Sequence, residues 1–417
     1  MMALRTLIAA ILALTATSPA SASVADVFGL GSAAVGAGDA AAAEAVDFAA
    51  CHYDPAGLAA ARGPSVHLGY AVADARVTVA GRALEVAHAG GLFFGLSVPI
   101  ELHWSWLESA ALGLALYGPP DVVVALRAGA PWEPGLPYYD NRVARWLVLP
   151  ALALRFPGGV SVGAAVDIFA GIRGPVEIVE GPTGAEEGRT ELEMFGAAAP
   201  IVGVRWDVRR WLSFAVVYRA EFSSPAATVA RVDAGGATVR LEASMAGLYR
   251  PHTIVAGAAV RGERWRAALD LSWEHWSAFR TPLADVAVDW QGVGLDPGAV
   301  ELPFRDSFGV RLGGELRLAA GPAELAVRAG YGFESRILPE DAPGAALLDG
   351  DKHVLSTGLG LRLPLAERVL TLDAHLAAHL LAGASAVSPG AERGDPEVRL
   401  TASGAVLSAG LTLGVEW

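Results

Sequence analysis

Asp373, His375 and His379 lie close together near the C-terminal end of the chain. One carboxylate with two imidazoles is a donor set that zinc or a general base would use. Spacing decides against a shared ion: on a strand, positions two and four apart share a face, but residues four apart stand about 13 Å from each other. No metal and no cofactor is expected, and the three residues are read as polar groups on one inward face. Serines, histidines and aspartates occur throughout, yet no G-x-S-x-G elbow presents a serine for attack, so no enzyme is expected. The stretch GLGSAAVGAG departs from the G-x-G-x-x-G spacing of a dinucleotide loop and has no strand before it. Cys51 is the single cysteine, which excludes an internal disulfide framework and reads as an inert buried thiol.

The elements that must position these groups are strands. In FRDSFGVRLGGELRL, Phe304, Asp306, Phe308, Val310, Leu312, Gly314, Leu316 and Leu318 fall on one face, and Arg305, Ser307, Gly309, Arg311, Gly313, Glu315 and Arg317 on the other. RWRAALDLSWEHW divides the same way, with Trp265, Ala267, Leu269, Leu271 and Trp273 opposite Arg264, Arg266, Asp270, Ser272 and Glu274. Such alternation over about ten residues, bounded by turn residues, is the signature of a transmembrane barrel strand. A soluble sandwich also alternates, but its charged face would meet bulk water, whereas here that face would line a lumen. Expected strands cover residues 65–79, 91–100, 109–118, 143–156, 160–172, 191–207, 211–222, 239–260, 264–277, 304–318, 323–334, 353–363, 369–381 and 400–417. That is about fourteen, an even number as bacterial barrels require. Short connections such as PGG at 157–159 alternate with long ones, the asymmetry of an outer-membrane barrel.

The first residues read as a secretory signal: a basic start, an apolar core over 6–14 and an Ala20-Ser21-Ala22 cleavage site, so residues 1–22 are expected to be removed. Residues 23–63 are dominated by alanine and glycine, small enough to pack inside something narrow, and residues 64–417 would form the barrel. Charges, prolines and glycines interrupt every apolar run too often for membrane-spanning helices. A net charge of −13 with scattered arginines excludes a nucleic-acid surface. Trp206, Trp211, Trp265, Trp273 and Trp417, near strand ends, suit an interfacial aromatic belt. The inward charges Asp270, Glu274, Arg311, Glu315, Arg328, Glu334 and Arg362 carry both signs and are read as a network joining plug and wall.

Taken together, GLGSAAVGAGDAAAAEAVDFAACHYDPAGLA, DLSWEHWSAF, FRDSFGVRLGGELRL, VRAGYGFESRILPEDAP and GDKHVLSTGLGLRL resemble the FadL-type family of outer-membrane transporters for fatty acids and other hydrophobic compounds. The resemblance implies an all-β, fourteen-stranded antiparallel barrel whose N-terminal segment folds inward as a hatch. It implies passive, gated diffusion of long-chain fatty acids or aromatic or aliphatic hydrocarbons, by a monomer in contact with outer-membrane lipid. Family hatches end in Asn-Pro-Ala; Asp54, Pro55 and Ala56 stand in that place. The strand containing Gly113 corresponds to one that the family kinks for lateral release. Candidate pocket residues are Phe28, Leu30, Phe48 and Tyr53 from the hatch, with Trp132, Tyr138 and Tyr139 from the long third loop. The rival readings are a sealed barrel serving as a structural or assembly partner in secretion, and a general aqueous porin, which would need an open lumen.

Overall fold

The computed structural model describes residues 25–84, 89–119, 131–139, 146–173, 176–180, 186–190, 193–234, 237–283, 285–290, 293–295, 300–389 and 396–417. The expected signal peptide lies outside the described residues. Fourteen strands form the wall: β1 (Ser65–Val79), β2 (Ala89–Trp104), β3 (Leu107–Gly118), β4 (Leu147–Phe156), β5 (Val160–Arg173), β6 (Glu193–Arg209), β7 (Leu212–Arg219), β8 (Thr253–Arg261), β9 (Trp265–Glu274), β10 (Ser307–Ala320), β11 (Ala323–Glu334), β12 (Asp349–Leu365), β13 (Arg368–Ser388) and β14 (Val398–Glu416). Each pairs antiparallel with the next, and β14 pairs back with β1 from Ser65 opposite Glu416 to Val79 opposite Ala402. The sheet is therefore a closed cylinder, which leaves no unpaired edge to face lipid.

The period-two pattern sets which side faces out. Leu312, Leu359 and Leu376 stand 47%, 63% and 61% exposed on the outer surface, while Asp270 and Glu315 on the inner surface are 3% and 4% exposed. An apolar band this continuous belongs in a bilayer, since a water-soluble protein rarely exposes one. Trp206, Trp211, Trp265 and Trp417 are all exposed and lie at the end where the short turns are, and Trp273 is half-buried near the other end. Phe304 departs from its expected outward placing. β10 begins only at Ser307, and Phe304 turns inward against Phe279 and Trp276, with ring centroids 5.0 and 6.2 Å away.

The expected strand over 239–260 is two strands. Ala237–Arg250 ends before Pro251, which has no amide hydrogen to carry the ladder on, and β8 begins at Thr253. The first half joins Val176–Glu180, Glu186–Thr190, Phe222–Ala234, Asp285–Trp290 and Val293–Leu295 in a separate six-stranded sheet at the long-loop end.

Residues 25–63 pack inside the cylinder as three short helices, α1 (Ala25–Phe28), α2 (Ser32–Gly36) and α3 (Ala50–Tyr53), and a 3-10 turn at Pro55–Ala60. Their small side chains let backbone approach backbone. Gly163 on β5 pairs with Gly203 on β6, and a Cβ on either would collide with the Asp54-Pro55-Ala56 turn. Gly313 and Gly330, paired between β10 and β11, admit the backbone of Ala37 and Gly38 in the same way. Small residues on the plug and glycines on the wall are two halves of one fit.

Candidate functional site

The plug leaves an open vestibule on the short-turn side of the lumen, and on its long-loop side aromatic side chains pack together in one cluster. Phe28 from α1 stacks on Tyr139 at 6.0 Å and meets the edge of His379 at 4.9 Å. Tyr138 lies 5.2 Å from Tyr139 and 6.4 Å from Trp276, which packs in turn on Tyr249 at 5.6 Å and Phe279 at 5.9 Å. Loops cover this cluster. Gly135 bridges to Leu347, the Ala346 amide donates to the Pro131 carbonyl (2.6 Å), and buried Leu136, Ile337, Leu338 and Leu348 fill the space beneath.

Charge borders this cluster on one side. Tyr138 donates through its hydroxyl to Glu334 Oε2 (2.7 Å), and Arg311 reaches the same oxygen only at 3.7 Å, with 31% of its side chain still open to the lumen. The Lys352 ammonium sits 4.2 Å above the Tyr138 ring and 3.2 Å from Asp349.

The expected pocket residues separate into different places. Phe28, Tyr138 and Tyr139 come together in the aromatic cluster. Leu30 is buried, and its amide donates to the Tyr53 hydroxyl (3.0 Å), which itself donates to Asp39. Phe48 packs on the opposite side against His67 (4.8 Å) and Phe93 (5.8 Å). Trp132 is 41% exposed at the mouth, so it joins none of them.

Asp54, Pro55 and Ala56 form the tight turn expected of them: Asp54 Oδ1 accepts from the Ala56 amide (3.0 Å), and all three residues are fully buried or nearly so. The other oxygen, Oδ2, has no partner among the described residues. Burial pushes the Asp54 carboxyl up to about 7, against the pull of the Ala56 hydrogen bond, Arg205 and Arg219. Gly113 is not a gap. Leu112, Gly113 and Leu114 pair without interruption to β2 on one side and β4 on the other. The missing side chain there serves the plug: a Cβ would come within 2.6 Å of Cys51 Sγ and 2.7 Å of Leu58 Cδ1. The β4–β5 ladder next to it does skip, at Leu149 and Pro150, where proline cannot donate.

The vestibule has a volume of about 1580 Å³ and is lined by charges from many strands and by the underside of the plug. Ion pairs run around it. Arg155 meets Asp207 at 2.8 Å; Arg261 and Arg266 hold Glu44 of the plug at 2.7 and 3.2 Å; Arg266 and Arg328 each meet Glu315 at 2.6 Å; and Arg328 continues to Asp373 at 2.6 Å. The Arg261 guanidinium also donates to the Ala43 carbonyl at 2.7 Å, and the Ala42 amide donates to Asp270 at 3.0 Å. Of the expected inward charges, Asp270 bonds to the plug, whereas Glu315 and Arg328 link wall strands to one another and reach the plug only through Arg266. Glu274 accepts from the Trp276 indole (2.8 Å), and Arg362 pairs with Glu416 at the vestibule rim (2.7 Å). Glu44 escaped the sequence reading. As an acid set within a run of alanines it was the available signal, since an isolated charge in such a run demands a partner.

On β13, β14 and β1 the interface is of another kind. Ser32 donates its amide to the Thr412 hydroxyl (3.0 Å), but five buried polar atoms nearby have no partner among the described residues: Ser32 Oγ, His67 Nδ1, Thr371 Oγ1, His375 Nδ1 and Ser408 Oγ. A buried group left unsatisfied costs roughly 1–3 kcal/mol.

A closed, plugged barrel with this order of elements can be compared with known proteins. The family model described as outer membrane protein transport protein (OMPP1/FadL/TodX) matches residues 10–415. The chain belongs to this family. No curated protein matches the sequence. Among solved structures, a Pseudomonas aeruginosa FadL homologue is 14% identical with a TM-score of 0.63, covering 94% of this chain and 98% of that one. The P. putida toluene transporter TodX is 16% identical with a TM-score of 0.56, and the Ralstonia pickettii toluene transporter TbuX is 14% identical with a TM-score of 0.55; each covers 94% of this chain and 99% of its own. At such identities the likeness is one of fold. The protein is an outer-membrane barrel of the FadL family, so its long loops face the exterior and its short turns the periplasm.

Proposed function

We propose that this FadL-family barrel carries hydrophobic small molecules, either long-chain fatty acids or aromatic or aliphatic hydrocarbons, across the outer membrane by passive, gated diffusion. The physical motive is that a lipopolysaccharide leaflet resists apolar solutes, and an apolar interior offers them a path. The observation that carries the reading is the buried aromatic cluster of Phe28, Tyr138, Tyr139 and Trp276, seated between the plug and the loops that cover it. Residues 23–63, following a removed signal peptide, act as the hatch, and the barrel works as a monomer without a cofactor or an energy source. Arg311 is the cation placed to meet a fatty-acid carboxylate, because its nearest carboxylate is 3.7 Å away and part of its side chain is open.

Cells with and without the barrel, given radiolabelled oleate or toluene, test this. Faster uptake of either with the barrel supports transport; unchanged uptake of both favours a structural role in secretion. Arg311→Leu should lower uptake of oleate and leave that of toluene unchanged. Conductance in planar bilayers should stay near zero, and a large steady conductance would instead support an aqueous porin.

A further inference from the structure

The arginines at the short-turn end fall into two groups. Inside the vestibule, Arg155 and Arg205 hold Asp207, Arg261 and Arg266 hold Glu44, and Arg328 holds Glu315 and Asp373. On the rim, Arg209, Arg210 and Arg264 are exposed, and among the described residues none of the three meets a carboxylate. Arg209 donates to the Val208 carbonyl of its own strand (2.9 Å). Arg209 and Arg210 sit at the turn from β6 to β7, and Arg264 at the turn from β8 to β9. The two turns are neighbours, since β7 pairs with β8 and the Arg261 amide donates to the Trp211 carbonyl (2.9 Å). Across residues 209–211 and 262–264, Glu263 is the only acid, so positive charge prevails there. Tryptophans flank the arginines: Trp206, Trp211 and Trp265 are each about half exposed. The outer wall beyond them is apolar, with Trp206 opposite Phe214, and Val204, Val216, Leu269 and Leu271 exposed further along.

An indole ring settles where hydrocarbon gives way to headgroups, so a guanidinium beside it stands at the depth of lipid phosphates. The planar guanidinium fork matches two phosphate oxygens at once, and a cation without a carboxylate at that depth attracts anionic lipid. We propose that these two turns, with Arg209, Arg210 and Arg264 set among Trp206, Trp211 and Trp265, bind the phosphate headgroup of an anionic phospholipid, of the phosphatidylglycerol class, in the periplasmic leaflet. A lipid fits better than a soluble acidic partner because the turns run directly into the bilayer-facing wall. The headgroup meets the arginines while the acyl chains lie along Phe214, Val216, Leu269 and Leu271. The attraction is local: with a net charge of −13 the chain as a whole repels an anionic lipid. The site stands whether or not the barrel transports.

The test places the full-length barrel in phosphatidylcholine vesicles and titrates in phosphatidylglycerol or phosphatidylcholine spin-labelled on an acyl chain. Electron paramagnetic resonance then measures the lipid immobilised on the protein. The wild-type barrel should hold phosphatidylglycerol roughly tenfold more tightly than phosphatidylcholine. Combining Arg209→Gln, Arg210→Gln and Arg264→Gln should bring the two lipids level, and Arg264→Gln alone should already lower the ratio about threefold. Arg280→Gln with Arg305→Gln, which removes two exposed arginines at the long-loop end, should leave the ratio unchanged. All are read in barrels that keep the wild-type shift on heating before electrophoresis. A wild-type barrel that holds both lipids equally would overturn the proposal and leave the arginines to a soluble acidic partner. An undiminished ratio in the triple variant, or an equal loss in the long-loop variant, would overturn it too, because the preference would then arise elsewhere or from net charge alone.

Discussion

The plug meets the wall in two contrasting ways. Between β5 and β11 its backbone drops into glycine notches, and Glu44 is gripped by Arg261 and Arg266. Along β13, β14 and β1, polar groups face one another with few bonds made. The first side is held by close backbone contact and charge pairs, although Asp54 Oδ2 and Ser161 Oγ there also lack partners among the described residues; the second is lined by hydroxyl and imidazole groups with few bonds made. The difference teaches that one segment can be anchored firmly on one flank while its other flank stays separable, because satisfied charge pairs and close backbone contact resist opening far more than unsatisfied hydroxyls do.

The contrast can be broken at Asp54, where the largest effect is expected. Its folded value of about 7 lies above the ordinary 3.8, so the folded protein holds a proton that the unfolded chain has lost between those values. Stability contributed by the seated turn is therefore intact below about pH 4 and falls as pH rises through 7. At ~1.4 kcal/mol per unit the loss amounts to a few kcal/mol. Asp54→Asn keeps the acceptor for Ala56 and removes the charge, so thermal unfolding at pH 8 should move upward while that at pH 4 stays in place. A pH-independent difference between the two proteins would contradict the assignment.

Gly163→Val comes next. The added side chain meets the backbone of Pro55 and Ala56, and the misfit should cost about 3 kcal/mol, the upper end for overpacking. It should be visible as a plug cut by protease and as new conductance in planar bilayers. Glu44→Gln removes the charge between two arginines. Because those arginines are a quarter exposed to the vestibule, the cost is about 2 kcal/mol, below that of a fully buried pair, and it should shrink in high salt. The smallest effect sharpens the contrast from the other side. Thr371→Val deletes a hydroxyl without a partner among the described residues and should change stability by less than about 1 kcal/mol, in either direction. A loss as large as that of Glu44→Gln, measured by the same urea titration, would mean that the two flanks are held alike.

Much of the wall was legible beforehand, and particular residues show why. β1 and β11 run over the expected spans, because an apolar residue at every second position has one workable placement when lipid lies on one side and a polar lumen on the other. Phe304 and the strand over 239–260 misled for a related reason: alternation persists beyond the membrane and does not say where the cylinder stops. Phe28, Tyr138 and Tyr139, expected together in a pocket, do meet in one cluster, because isolated aromatics near a mouth are informative. Phe48 and Tyr53 have the same composition signal but point elsewhere, since the turns of the plug between them decide direction.

The sequence by itself determined an alternating chain of about fourteen strands with charge inside, because period and hydropathy are local properties that any bilayer would read the same way. Only the tertiary structure decided that Gly113 seats Cys51 instead of opening the wall, that Glu44 is the clamp, and that His67, Thr371, His375 and Ser408 share one flank of the plug. Those facts depend on which residues meet across a closed cylinder, at separations along the chain of up to several hundred positions. Local pattern carries no record of such meetings.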